Sequence, residues 1–247
     1  MKKLTIILFL FLPSLSHAIT LAELRKEVRR QVNDIPTPKI RFTNSHINDA
    51  INEAQRNIAI NTYAVQRTTI QTIVSLQNNY VLPTYCFGVK YVTRNTTTGQ
   101  SFLLKEITRE QLAEDINRGD LFIETSTVPY SYYMSKLGFS VILYPRPSGT
   151  ALGNVNINCF GIPENLVNDI DVPFNMPELG YEDNSLYAYH DLIVKYAVYK
   201  LFLIKGDVES ARKYKNDYDL GIAIMSKNSG HPIEETPVPS TITGKIP

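Results

Sequence analysis

Apolar residues at Leu21, Leu24, Val28 and Val32 recur at helical spacing, with Arg25, Lys26, Glu27, Arg29 and Arg30 between them. That pattern predicts an amphipathic helix. Thr20 and Glu23 have capping-box spacing at its start, and Pro36 and Pro38 end it, because proline cannot continue a helix. A second stripe, Ile47, Ala50, Ile51, Ala54, Ile58 and Ala59, predicts a second helix that Thr43, Asn44 or Ser45 can cap. The expected start is therefore two short antiparallel helices joined by a proline-containing loop.

The period changes after Tyr63. Residues 68–82 are rich in Thr, Ile, Val and Tyr, turn at Gln77-Asn78-Asn79 and close at Pro83, which reads as strand. Further strands are expected at 87–92, 130–136, 139–144 and 155–162, with a polar loop at 94–100. Thr108-Arg109-Glu110-Gln111 is a second capping box opening a short helix to about Asn117. Helical spacing returns with Leu186, Tyr189, Ile193, Tyr196, Ala197 and Leu201. Gly206 stops that helix and Asp207 caps another carrying Val208, Ala211, Tyr214, Tyr218 and Ile222. Four prolines in residues 232–247 predict an extended tail.

The fold class expected from this order is α+β: an antiparallel-type helical bundle of N- and C-terminal helices (19–64 and 178–229), an inserted β-rich module (65–177), and an extended tail (230–247). Residues 1–18 stand apart. Lys2 and Lys3 precede an apolar run, and Ser16-His17-Ala18 places small residues where a signal peptidase cuts. The run is too short to span a bilayer. Its readings are a cleaved secretory leader, an apolar extension that is never exported, or a misassigned start.

Charge narrows the function. Lys plus Arg total 25 against 24 for Asp plus Glu, so the basic excess of a protein living on phosphate contacts is missing. Hydrophobic residues at 43% and charged residues at 20% exclude disorder for most of the chain. Two cysteines cannot build a disulfide framework. Cys86 and Cys159 both fall in expected strands, as a pair if the protein is exported and otherwise as buried thiols.

No nucleophile elbow, dinucleotide fingerprint, phosphate loop or zinc-protease motif is present. His190 and Asp191 are neighbours on a helix and point about 100° apart, so His190 reads as structural. Glu106, Glu110 and Glu114, with Asp115, read as a solvated face rather than a carboxylate dyad. The tyrosines 187, 189, 196, 199, 214 and 218 read as core or interface rather than a stacking platform. The expectation is no enzyme, no catalytic residue, no metal and no cofactor.

Several strings together resemble the head-to-tail adaptor proteins of tailed bacteriophages, the podovirus gp4-like tail accessory factors. They are Arg41-Phe42-Thr43-Asn44 followed by Ile47-Asn48-Asp49-Ala50-Ile51-Asn52-Glu53-Ala54; Asn79-Tyr80-Val81-Leu82-Pro83; Pro129-Tyr130-Ser131-Tyr132-Tyr133; Val141-Ile142-Leu143-Tyr144-Pro145-Arg146-Pro147; and His190-Asp191-Leu192-Ile193-Val194-Lys195-Tyr196-Ala197. Asp207, Ala211 and Tyr214 continue into the closing helix. The resemblance spans about residues 20–228. Phe42 stands where family members often carry Trp, and Asn44 where Asp is common.

The resemblance implies a structural virion protein of the neck, assembled in the host cytoplasm. Its expected partners are the portal protein, tail nozzle or tube proteins and itself, as a ring of twelve. It would close the DNA channel after packaging and receive the tail, with DNA only passing through the lumen and no membrane bound by the mature chain. Ile233, Val238, Ile242 and Ile246 are then the expected portal-binding anchors of the tail. Leu24, Val28, Ile47, Ile51, Ile58, Tyr189, Ile193, Tyr196, Leu201 and Tyr214 are expected at a subunit interface or in the bundle core. The competing expectation is an exported bacterial binding or adhesion module, periplasmic or secreted, with its leader cleaved.

Overall fold

The computed structural model describes residues 19–34, 41–117, 125–126, 128–135, 138–149, 153–174, 186 and 189–228. Helix α1 (Leu21–Gln31) starts at Thr20, whose hydroxyl accepts from the Glu23 amide while the Glu23 carboxylate accepts from the Thr20 amide. Both halves of the capping box are thus made. Helix α2 (Asn44–Thr62) is capped by Thr43 and ends at Tyr63 in the left-handed region, φ 54°. Asp34 ties the two together: it is buried, pairs with Arg29 at 2.7 Å and accepts from the amides of Arg41 and Phe42. Arg29 also donates to Asn44 at 2.9 Å.

The strands are β1 (Gln66–Thr72), β2 (Asn79–Val81), β3 (Cys86–Asn95), β4 (Ser101–Leu103), β5 (Lys105–Glu106), then after α3 (Arg109–Asn117) β6 (Thr125–Ser126), β7 (Ser131–Met134), β8 (Ser140–Tyr144), β9 (Arg146–Pro147) and β10 (Asn154–Gly161). One sheet runs β1-β10-β3-β4, all antiparallel. The second runs β2-β8-β7-β5, with β5 parallel to β7. A short parallel pair joins β6 to β9. The strands β1 and β2, on either side of the turn at Gln77-Asn78-Asn79, enter different sheets. The inward faces of the two sheets meet in one core of Val92, Val155 and Ile157 from the first and Tyr80, Tyr132, Val141 and Leu143 from the second.

Helices α4 (His190–Lys205) and α5 (Val208–Asn228) complete the chain. Gly206 turns α4 off at φ 80°, a conformation that glycine adopts without a Cβ penalty. The side chain of Asp207 accepts from the Ser210 amide at 3.1 Å, capping α5.

The expected helical bundle with an inserted β-rich module is overturned. Among the described residues the molecule is a mixed α+β fold of five helices, two four-stranded sheets and a two-stranded pair. Helix α4 is buried over much of its circumference, through Leu192, Ile193, Val194, Tyr196, Ala197, Val198, Leu201 and Phe202. It is a central helix on which α1, α2 and α5 pack, as a helix apolar on most sides must be. A stripe reading of 186–201 sees only one of its faces. The helical core also takes in Val65, Leu166 and Phe174, from the chain entering and leaving the sheets.

Candidate functional site

Four elements converge where α2 crosses α4. Asn52 and Gln55 are buried polar residues inside the mostly apolar inner face of α2. Asn52 donates to the Leu166 carbonyl at 3.1 Å and accepts from the Leu166 amide at 2.7 Å. Gln55 donates to the Glu164 carbonyl at 2.6 Å and to the Asn52 side-chain oxygen at 3.0 Å, and accepts from the Phe174 amide at 3.4 Å. Two side chains thus replace a strand partner for the segment that returns from β10 to the helices, which satisfies its backbone at Leu166 and Phe174, where these bonds are buried.

Glu53, the residue between them on the outer side, accepts from the Tyr196 hydroxyl and from Lys200, each at 2.8 Å. Burial pushes the Glu53 carboxyl up, but the hydrogen bonds from Lys200 and Tyr196 and the charges of Lys200 and Arg56 outweigh it and hold the carboxyl below its usual value. Burial, and the hydrogen bond to Glu53, push the Tyr196 hydroxyl up. Its ring meets Tyr218 edge-on at 5.0 Å and Tyr199 at 5.7 Å. Tyr218 in turn donates to Asn57 of α2 at 2.7 Å. Tyr196 and Tyr218 are therefore engaged with each other and with α2, and Tyr199 packs on Tyr196.

His190 is buried with its ring stacked on Phe174 at 6.2 Å, and burial pulls its pKa down to about 4. Asp191 points away and pairs with Lys195 at 2.7 Å. Glu106 accepts from the Tyr132 hydroxyl at 3.3 Å and Glu110 is exposed, so these two carboxylates serve different neighbours. The Glu114 and Asp115 side chains and Tyr187 lie outside the described residues. No group of three His, Cys, Asp or Glu suited to a metal occurs among the described residues, nor a helix long and apolar enough to cross a membrane. A hollow of 560 Å³ beside α1 is lined by Arg25, Lys26, Arg29 and Arg30. Three of its cations are already paired, with Asp169, Asp34 and Glu27.

Leu24, Val28, Ile47, Ile51, Ile58, Ile193 and Leu201 sit fully buried in the helical core, Tyr196 is buried there too, and Tyr189 and Tyr214 pack against it. Ile233, Val238, Ile242 and Ile246 lie outside the described residues, as do residues 1–18. The composition of the surface supplies what the stripes omit. Val167 and Ile170 at the tip of the returning loop are 72% and 80% exposed. Leu203, Ile204 and Val208 stand exposed around the turn from α4 to α5.

The strings spread along the chain are thus the places where its elements are tied. Phe42 plugs the helical core beside Asp34, Asn52 and Glu53 hold the returning segment and α4, Tyr80 is buried between the sheets, and Tyr196 closes onto Glu53. Residues 19–238 match the family described as SU10 adaptor protein. The chain belongs to that family. This adaptor is a structural head-to-tail protein of a phage, placed in the virion neck and interacting in general with portal and tail proteins. No curated protein matches the chain. Asn52 and Gln55 escaped the sequence reading as a pair. Their signal is two amides at i and i+3 interrupting a stripe of Ile and Ala, a spacing that puts them on one helix face.

Proposed function

We propose that the adaptor is the subunit of a ring of twelve that docks below the portal, closes the DNA channel after packaging and offers the attachment site for the tail. The family match over residues 19–238 carries this reading. Near-zero net charge supports it, because a strongly basic lumen would hold DNA that has to slide. Exposed apolar side chains at Val167 and Ile170 and at Leu203, Ile204 and Val208 are the kind of surface that protein contacts cover. A head-to-tail contact that closes on itself gives a ring. The proline-rich segment 230–247, with Ile233, Val238, Ile242 and Ile246, is proposed to order on the portal, since an extended segment with spaced anchors gains its structure on binding.

Deleting residues 230–247 is expected to leave the subunit folded and to weaken its capture by purified portal rings. Undiminished capture would remove the tail from the docking reading. The exported-module alternative draws on residues 1–18 and on the Cys86–Cys159 disulfide. Peptide mass spectrometry of purified particles separates the two: the chain at ring copy number relative to portal supports the adaptor, and its absence from particles supports export.

A further inference from the structure

The helices join the first sheet through a small apolar knot. Tyr63, the left-handed residue that ends α2, sets its ring against Phe160 at 5.0 Å and Phe87 at 5.7 Å. The Gly161 amide donates to the Val65 carbonyl at 2.8 Å, and Val65 is buried in the helical core. Gly161 admits no side chain, because an added Cβ would lie 2.6 Å from the Arg67 side chain, itself buried. Each phenylalanine of the knot follows a cysteine, and Cys86 and Cys159 form a disulfide with Cα atoms 5.7 Å apart. Register shifts between Asn158 and Cys159 and between Phe160 and Gly161 bring the two strands into this diagonal match. The two residues are unequal in exposure: Cys159 is fully buried, whereas Cys86 is only partly covered at the start of β3.

We propose that Cys86 and Cys159 are a redox lock on this joint, a dithiol while the subunit is in a reducing cytosol and a disulfide in the released particle, with Cys86 the entering and Cys159 the resolving thiol. The timing rests on the virion reading above; the order of attack does not. Glutathione and thioredoxin keep cytosolic thiols reduced, and release exposes the particle to an oxidising medium. The oxidant is a low-molecular-weight disulfide such as oxidised glutathione. The Cys86 thiolate attacks one donor sulfur, the donor S–S bond breaks and one glutathione thiolate leaves. The Cys159 thiolate then attacks the Cys86 sulfur of the mixed disulfide and expels the second. Two electrons pass from the cysteine sulfurs to the donor, and the two cysteine protons end on the two glutathione thiols. Closing the bond covalently fixes the strands that carry Phe87 and Phe160, and so the grip on Tyr63.

Reduced full-length protein treated with oxidised glutathione, acid-quenched and read by mass spectrometry tests the order. C159S is expected to accumulate glutathione on Cys86, and C86S to react at Cys159 about tenfold or more slowly, because access governs exchange. Equal rates, or the reverse order, would overturn the assignment. Hydrogen exchange at the Gly161 amide is expected to be about tenfold slower in the disulfide form than in the dithiol form; equal exchange would show that the bond locks nothing. Alkylation with N-ethylmaleimide in infected cells and again in released particles tests the timing. Blocked thiols in cells and a Cys86–Cys159-linked peptide in particles are expected. Linked peptide in cells, or thiols in particles, overturns the lock. Absence of the chain from particles overturns the adaptor reading and the timing with it, and leaves the order of attack to the glutathione experiment.

Discussion

Replacing Asn52 by leucine isolates the clasp on the returning segment, because the two side chains are close in size and differ in their hydrogen-bonding ends. The amide of Asn52 serves both the N–H and the C=O of Leu166 and accepts a third bond from Gln55. Each buried polar group left unpaired costs about 1–3 kcal/mol. Two backbone groups thus lose about 2–6 kcal/mol, and burying the leucine returns about 1–2 kcal/mol. The expected net loss for Asn52→Leu is about 0–5 kcal/mol, centred on about 2.5 kcal/mol, a large share of an ordinary domain's stability. Urea unfolding of purified protein followed by circular dichroism measures it, with Asn61→Ala on the exposed side of α2 as the control, expected within about 0.5 kcal/mol of wild type. The Leu166 amide is expected to lose its protection from hydrogen exchange in the variant. A loss under about 1 kcal/mol with Leu166 still protected would refute the idea that Asn52 holds this segment. Gln55→Leu added to Asn52→Leu is expected to be non-additive, since both serve one network.

Three further outcomes follow from the same geometry. His190 has a usual pKa of 6.5 and a folded value of about 4 because burial disfavours its charged form. Between those values the unfolded chain holds the extra proton, so stability falls as pH drops from about 6.5 towards about 4, and His190→Phe should flatten that limb of a pH-stability profile by up to about 3 kcal/mol; an unaltered profile would place the acid sensitivity elsewhere. Gly153→Ala should lose more than about 2 kcal/mol in thermal unfolding, because the residue sits at φ 80° and its new Cβ would run into the Asn95 carbonyl; a wild-type melting temperature would contradict the register of β10 on β3. Tyr196→Phe should cost about 1 kcal/mol through the lost bond to Glu53, whereas Tyr196→Asp should cost several times more by setting a second carboxylate against Glu53 inside the tyrosine cluster. Equal losses in the two variants would mean that Glu53 does not sense position 196.

Local chemistry made much of the chain readable. Thr20 with Glu23, Thr43, Thr108 with Gln111, Gly206 and Asp207 mark helix ends because a helix terminus has orphaned amides or carbonyls that only a few side chains or a left-handed residue can serve. The alternation of Val155, Ile157 and Cys159 marks β10 because a strand buries every second residue. The absence of catalytic motifs and the balanced charge were likewise open to inspection, and the ordered strings pointed to the family. Other features needed distant residues to meet. Lys105-Glu106 is a strand only because β7 lies beside it in parallel, and two residues show no period. Residues 68–82 read as strand with a turn, yet the partners of β1 and β2 are β10 and β8, so the sheets are chosen by pairing across the chain. The central place of α4 depends on three helices finding different faces of it. Asn52, Gln55 and Cys86 carry their roles only once residues 109 to 119 positions away from the two amides, and 73 from the cysteine, are folded back against them. Hydrogen bonds and disulfides act over a few ångströms, and which distant groups come within that range is decided by the packing of the whole chain.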